Sequence, residues 1–427
     1  MVLRTLTEKA KRIAGRRPVK RVSVREATAA RAYIANYWTK LERYNPKDEA
    51  SLIGLPKPYL VPSYAEDHEF DYNELYYWDS YFMVQGFLHD PSRKELVMGI
   101  LEDLAGLFKR FGIIPNGSQL YYLSRSHPPL LTSFILDVYD AYQPGDRWLK
   151  EMIDVAKAEY RTVWMGKRKP NARLVYEGLS RYYDFNYLHD LTEAESGWDY
   201  TPRFNRKALD YLPVDLNAFL YRYEMDFARA ALIADNSKEA ATWEAAANKR
   251  TRAMERLMWD EGRGEYFDYN YVKERRSLVD SLATYAPMWA GMVNESQAKA
   301  LVKSLRRFEA QGGLATTDKL PLSHYRPGAI PTQWAYPNGW APLHFMVIKA
   351  LQRYGYKDEA ERIATKWLRT NVDWFTHHGV FLEKYNVVDP DKPPAKGVYP
   401  SQTGFGWTNA VFERLCQEFV DPPKKES

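Results

Sequence analysis

Apolar residues recur every three or four positions along most of this chain, the spacing of a helix that buries one face. Lys94 to Phe111 carries Leu96, Val97, Ile100, Leu101, Leu104, Leu107 and Phe108 on such a face, with Gly112 placed as its cap. Ser23-Val24-Arg25-Glu26 has the spacing of a capping box and opens a helix running towards Tyr44. Leu216 to Ala234 and Lys238 to Met258 form a helical pair broken by Asp235-Asn236-Ser237. Gly339 to Tyr354 and Lys357 to Phe375 form another around Gly355. The count comes to about a dozen helices with few convincing strands. Helices joined by short turns build an all-α domain of helical hairpins.

Neither a strong exact repeat nor a low-complexity linker divides this pattern. The expected organisation is one domain over residues 23–420, behind a basic, solvated leader at 1–22 and ahead of a polar tail at 421–427. Long stretches rich in aromatic and polar residues separate the helices: Ser63 to Trp78, Ile113 to Pro129, Tyr182 to Pro213, Gly312 to Trp340 and Phe381 to Trp407. Ordered loops of such length usually carry function.

Composition changes this picture only in part. The 427 residues are 45% hydrophobic and 27% charged, ordinary for a globular chain with a full-sized core. No apolar run approaches the ~20 residues of a membrane span, so no membrane partner is expected. The net charge is +5, with much of the excess in Lys9 to Arg25. Such a run attracts nucleic acid or an anionic membrane surface, yet a solvated leader accounts for it as well, and no nucleic-acid partner is expected. The leader has no apolar segment of export-signal type, and the single cysteine, Cys416, rules out an internal disulfide framework. Both point to the cytoplasm. A monomer or weak oligomer is expected. The unusual figure is 15% aromatic residues, with 32 Tyr, 18 Phe and 13 Trp. Aromatic faces stack on sugar rings while Tyr and Trp add polar edges, which tilts the reading towards carbohydrate.

Three carboxylates stand in aromatic and glycine-rich settings: Asp79 in Tyr76-Tyr77-Trp78-Asp79, Asp199 in Glu195-Ser196-Gly197-Trp198-Asp199, and Glu383 in Leu382-Glu383-Lys384-Tyr385. Hydrolysis of a glycosidic bond by inversion needs two carboxyls, one to protonate the leaving oxygen and one to activate water on the opposite sugar face. An acid beside Trp or Tyr in a partly dry pocket has the raised pKa that a general acid requires. Each also has a structural alternative: an Asp after Trp, as Asp79 and Asp199 both are, often caps a following helix, a role that Asp79 suits directly, and Glu383 with Lys384 suits an exposed ion pair.

Five separated segments resemble, in order, the trehalases, inverting α-glucosidases that split trehalose into two glucose molecules. They are Leu55 to Pro62 with Glu74 to Phe82; Ile114-Pro115-Asn116-Gly117 with Tyr121 to Ser126; and Ser196-Gly197-Trp198-Asp199 with Pro213 to Asn217. Gln333-Trp334 with Pro337 to Pro342, and Glu383-Lys384-Tyr385 with Gly404 to Asn409, complete the set. The resemblance implies an (α/α)6 barrel, with Asp199 as general acid and Glu383 as general base. It places Tyr72, Tyr76, Trp78, Asp79, Asn116, Arg125, Ser126, His127, Gly197 and Trp334 along the sugar subsites. Trp334 also suits packing, and Asn116 a turn before Gly117. No cofactor and no metal is implied, since protonation and water attack need only the two carboxyls. The eight His residues show no metal-ligand spacing. The expected partner is a small-molecule sugar.

The departures fall on substrate recognition. Where the family pattern has Pro-Gly-Gly-Arg-Phe, this chain has His68-Glu69-Phe70-Asp71-Tyr72. An Arg-Pro-Glu motif has no counterpart in Leu179 to Ala194, Val398 replaces a substrate-contacting Glu, and His127 replaces a Gln. Asp71, His68 and Lys396 are candidate replacements. The alternatives are a related α-glycosidase acting on another α-glucoside or α-mannoside, such as a glucosyl or mannosyl glycerate, and a non-catalytic sugar-binding paralogue.

Overall fold

The structure, a computed structural model, describes residues 19–64, 72–320 and 332–421. Thirteen α-helices occur in these residues: α1 (Val24–Leu41), α2 (Tyr77–Val84), α3 (Lys94–Phe111), α4 (Leu131–Tyr142), α5 (Asp146–Glu159), α6 (His189–Glu195), α7 (Val214–Ile233), α8 (Ser237–Met258), α9 (Ala286–Ala290), α10 (Glu295–Ser304), α11 (Ala341–Arg353), α12 (Lys357–His378) and α13 (Gly406–Phe419). The chain is therefore mostly helical, as its periodicity implies.

Local chemistry accounts for the boundaries. Ser23 and Glu26 close the expected capping box at α1, and Gly112 ends α3 in the left-handed region at φ 73°. The boundary at 339 moves: Gly339 lies in a short strand, Asn338–Trp340, and α11 starts at Ala341 with Pro342 in its first turn. The strands among the described residues are two or three residues long. That is too short for an alternating pattern to register in sequence.

Two kinds of helix alternate. α1, α3, α5, α8, α10 and α12 bury one face; α8, for example, buries Ala240, Trp243, Ala247, Ala253, Met254 and Met258. α2, α4, α7, α9, α11 and α13 bury most of their length, and every residue of α2 and α9 is buried. These buried helices pack on one another, α13 on α2, α4 on α7, α7 on α9, α9 on α11 and α11 on α13. Gln85, just past the end of α2, donates to Asp137 of α4 at 3.0 Å, and the Tyr81 and Phe134 rings lie 6.3 Å apart across the same two helices. No helix among the described residues is long and apolar enough to cross a membrane.

Of the leader, residues 1–18 lie outside the described residues, as do 422–427 of the tail. The leader's last residues dock on the domain: Val22 is buried, and Arg369 donates to the carbonyls of Lys20 and Arg21.

Candidate active site

The buried helices and the loops at their amino-terminal ends enclose a cavity of about 450 Å³. Of the residues singled out in the sequence, Tyr72, Tyr76, Trp78, Asp79, Asn116, Arg125, His127, Gly197, Asp199, Trp334 and Glu383 line it. Five separated stretches of chain thus converge on one space.

Asp199 hangs on a loop that is fixed from behind. Ser196 Oγ accepts from the Trp198 N–H at 3.1 Å, turning the chain just past α6. Gly197 sits at φ 71°, and a Cβ there would stand 2.7 Å from the Trp78 ring, so this position demands glycine twice over. Trp198 stacks on Trp334 with centroids 5.4 Å apart, and Trp334 lies flat on Trp340 at 3.8 Å. Beneath Trp198, at 4.4 Å from its ring, is the Arg203 guanidinium. Arg203 donates to both oxygens of Asp215 at 2.7 and 2.9 Å and to both of Asp268 at 2.7 and 3.0 Å. The Asp199 carboxyl itself has no hydrogen-bond partner among the described residues. Burial raises its pKa to about 6, opposed by the Arg125 charge and reinforced by that of Glu383. Part of its surface stays accessible and faces the cavity.

Glu383 is built differently. It adjoins the Lys384–Asn386 strand, which pairs antiparallel with Asn338–Trp340 so that Lys384 stands opposite Trp340. Its N–H donates to the Gln402 carbonyl at 3.0 Å, and its carbonyl accepts from Trp407 Nε1 at 3.2 Å. Lys384 Nζ donates to Oε2 at 2.6 Å and Tyr399 OH to Oε1 at 3.1 Å. Both members of the Glu383–Lys384 pair are almost wholly buried, at 2% and 1% exposure, which removes the reading of an exposed ion pair.

Asp79 is the third carboxylate. It lies in the first turn of α2, whose N-cap is Tyr76 with no side-chain cap, so capping does not explain it. Burial pushes its pKa well above the usual carboxylate range against its own backbone N–H, and the charges of Asp199 and Glu383 add to the rise. His127, 3.9 Å from Asp79, is kept neutral by burial and by Arg125; its Nδ1 accepts from the Trp78 N–H at 3.5 Å. Arg125 is anchored to Asp184 at 3.3 Å and leaves its Nε unpartnered among the described residues. The Asn116 side-chain amide has no partner among the described residues and lines the cavity. A sugar hydroxyl both gives and takes hydrogen bonds, and this wall offers donors and acceptors of each kind.

One residue is misplaced by the sequence reading. Ser126 does not reach the cavity: it is fully buried, its Oγ donates to the Ile114 carbonyl at 2.7 Å, and its N–H donates to Glu195 at 2.6 Å. Glu195 also accepts from the Tyr183 N–H at 2.7 Å and is ion-paired to Arg173, so it ties three segments together under the site. Lys396 does not line the cavity, while His68 and Asp71 lie outside the described residues. Sequence reasoning missed Glu74, Tyr122, Tyr399, Gln402 and Trp407 as lining residues. Glu74 and Tyr122 join Tyr76 through its hydroxyl at 2.7 and 2.9 Å, and all five fall inside or beside the quoted motifs. Among the described residues no three His, Cys, Asp or Glu side chains converge as a metal-ligand set.

This geometry, cavity-lining aromatics around buried carboxyls, is that of a glycoside hydrolase. A family model described as Trehalase matches residues 10–192 and 182–419, and the chain belongs to the trehalase family. Neutral trehalase Nth1 from Saccharomyces cerevisiae is 29% identical over 92% of this chain and 80% of its own, with a TM-score of 0.73. A GH63 mannosylglycerate hydrolase from Thermus thermophilus, in complex with glucose, is 18% identical over 90% of this chain and 99% of its own, with a TM-score of 0.66. A rhamnosidase from Klebsiella oxytoca with rhamnose bound is 12% identical over 95% of this chain and 66% of its own, with a TM-score of 0.59. The last two share the fold alone.

Proposed function

We propose that this protein hydrolyses an α-glycoside with inversion, that Asp199 is its general acid and Glu383 its general base, and that α,α-trehalose is the leading substrate. The observation that carries the proposal is the contrast between two carboxyls in one cavity. Asp199 has no hydrogen-bond partner among the described residues, and burial raises its pKa to about 6, so it keeps a proton to give at higher pH than an ordinary aspartic acid does. Glu383 instead accepts a protein hydrogen bond on each carboxyl oxygen. In the step, a water O–H bond breaks and its proton passes to Glu383, while the water oxygen bonds to the anomeric carbon. The glycosidic C–O bond breaks on the other side, and the leaving oxygen takes the Asp199 proton.

The same proposal includes an (α/α)6 barrel. Six one-faced helices alternating with six buried ones support it, as do the Gln85–Asp137 and Tyr81–Phe134 contacts that join the first buried helix to the second. Proton NMR of a fresh trehalose digest is expected to show the newly hydrated glucose first as the β anomer. Initial release of the α anomer would sink inversion.

A second reading keeps the machinery and changes the leaving group. Its motive is position 398, where the family pattern has an acid and this chain has Val398, 48% exposed. A buried site made for hydroxyls discriminates strongly against groups that leave it unpaired. A panel of α-glucosides, α-mannosides and their glycerate conjugates separates the readings, and turnover of trehalose far above all others removes this second one.

A further inference from the structure

Both oxygens of the Glu383 carboxylate already hold a protein donor, and the donors come from different segments. Lys384 Nζ reaches Oε2 at 2.6 Å from the strand paired with Asn338–Trp340. The Tyr399 hydroxyl reaches Oε1 at 3.1 Å from the loop that follows Asp389. Lys384 is itself confined: its ammonium sits 4.9 Å from the Trp340 ring centroid and 5.3 Å from that of Tyr399. Trp407 and Gln402 fix the backbone on either side of the carboxylate. A carboxylate turning freely about its last bond spends most of its time aimed away from the sugar. With one donor on each oxygen, that rotation is stopped, and each oxygen keeps one lone-pair site open.

We propose that Tyr399, together with Lys384, is a positioning residue for the base, fixing the rotation of the Glu383 carboxylate and leaving an open lone pair for the attacking water. The inference rests on Glu383 being the base. Tyr399 keeps its proton throughout the working range, because burial and the neighbouring Glu383 charge raise its pKa well above the ordinary tyrosine value. It is therefore always a donor and never a competing base. Position 398 fits this picture: the side chain there is exposed, and the loop's polar contribution to the cavity comes through Tyr399 and Gln402.

The test is Tyr399→Phe, which keeps the ring over Lys384 and removes only the hydroxyl. Hydrolysis of α-D-glucosyl fluoride, whose leaving group needs no proton, reads the base alone. The expected result is a kcat lower by about tenfold or more with KM within about twofold. A substrate-binding role raises KM with kcat kept, which overturns the proposal. The infrared carboxylate stretches of Glu383, read as the difference between each protein and its Glu383→Gln counterpart, need no turnover, and a packing role leaves them unmoved. They are expected to shift in Tyr399→Phe and in Lys384→Gln as a second variant. Unchanged stretches in both variants overturn the clamp. Wild-type activity in Glu383→Gln overturns the assignment of the base, a separate outcome.

Discussion

The two walls of the cavity handle charge in opposite ways. On one wall, Asp199 stands without a hydrogen bond from any described residue, on a loop braced by Trp78, Trp198 and a buried Arg203–Asp215–Asp268 cluster. On the other, Glu383 has a donor on each carboxylate oxygen. The first wall puts its hydrogen bonds into the scaffold and none into the Asp199 carboxyl, so burial raises its pKa against the Arg125 charge alone. The second puts them directly on the carboxylate. Two residues of nearly the same chemistry thereby stand in different hydrogen-bonding environments.

The sharpest way to break this comparison is to remove each carboxyl and change the leaving group. Asp199→Asn and Glu383→Gln are each expected to lower kcat/KM on trehalose by about a thousandfold or more, within or beyond the usual range for a lost general acid or base. On α-D-glucosyl fluoride the two are expected to part. Fluoride leaves without a proton, so Asp199→Asn keeps most of its activity and Glu383→Gln does not. Equal losses on both substrates in both variants would erase the distinction between the walls.

The scaffold behind Asp199 provides the next effect. Arg203→Met leaves Asp215 and Asp268 buried without their cation, and removing one partner of such a network costs about 3–5 kcal/mol. Chemical denaturation is the measurement, and a stability unchanged within about 1 kcal/mol contradicts a bracing role for this cluster.

The pH profile then sharpens the electrostatics. The proposed acid role needs Asp199 protonated, and its pKa is raised to about 6, so kcat/KM is expected to fall as pH rises through that value. The Glu383 charge contributes to the rise, and Glu383→Gln is expected to bring the Asp199 titration down when followed by infrared difference. A rate that stays flat to about pH 8 removes Asp199 as the acid.

Most of the frame is legible in the sequence because a helix repeats its pattern over many residues. α3 runs from Lys94 to Phe111 with its cap at Gly112, where periodicity and glycine place both. The two- and three-residue strands are not legible, and one of them sets Lys384 opposite Trp340. The site is legible as motifs, since segments far apart in sequence each keep a recognisable pattern of aromatic, glycine and acidic residues. Ser126 shows what motifs cannot separate. It follows Arg125 directly, yet its N–H and Oγ turn back into the protein while Arg125 lines the cavity. Tyr399 escapes for the converse reason: no local pattern says that a tyrosine sixteen residues past Glu383 returns to its carboxylate.

The smallest expected effect lies at the other end of the buried helices. A second cavity, of about 610 Å³, is larger than the first and is lined by Asp137, Asp140, Arg222, Lys349, Arg353 and Arg414 among others. Its charges are largely matched within the protein: Arg222 with Asp226 at 2.9 Å, Arg229 with Asp140 at 2.6 Å, and Lys349 with Glu418. Asp137 accepts from Gln85 at 3.0 Å, and burial raises its pKa, so a neutral side chain suits the position. Asp137→Asn keeps an acceptor for Gln85, and its kcat/KM is expected within about twofold of wild type, with stability within about 1 kcal/mol. A tenfold loss of activity would mean that the two ends of these helices are coupled. The proposed chemistry would then depend on more than the cavity in which Asp199, without a hydrogen bond from any described residue, faces the hydrogen-bonded Glu383.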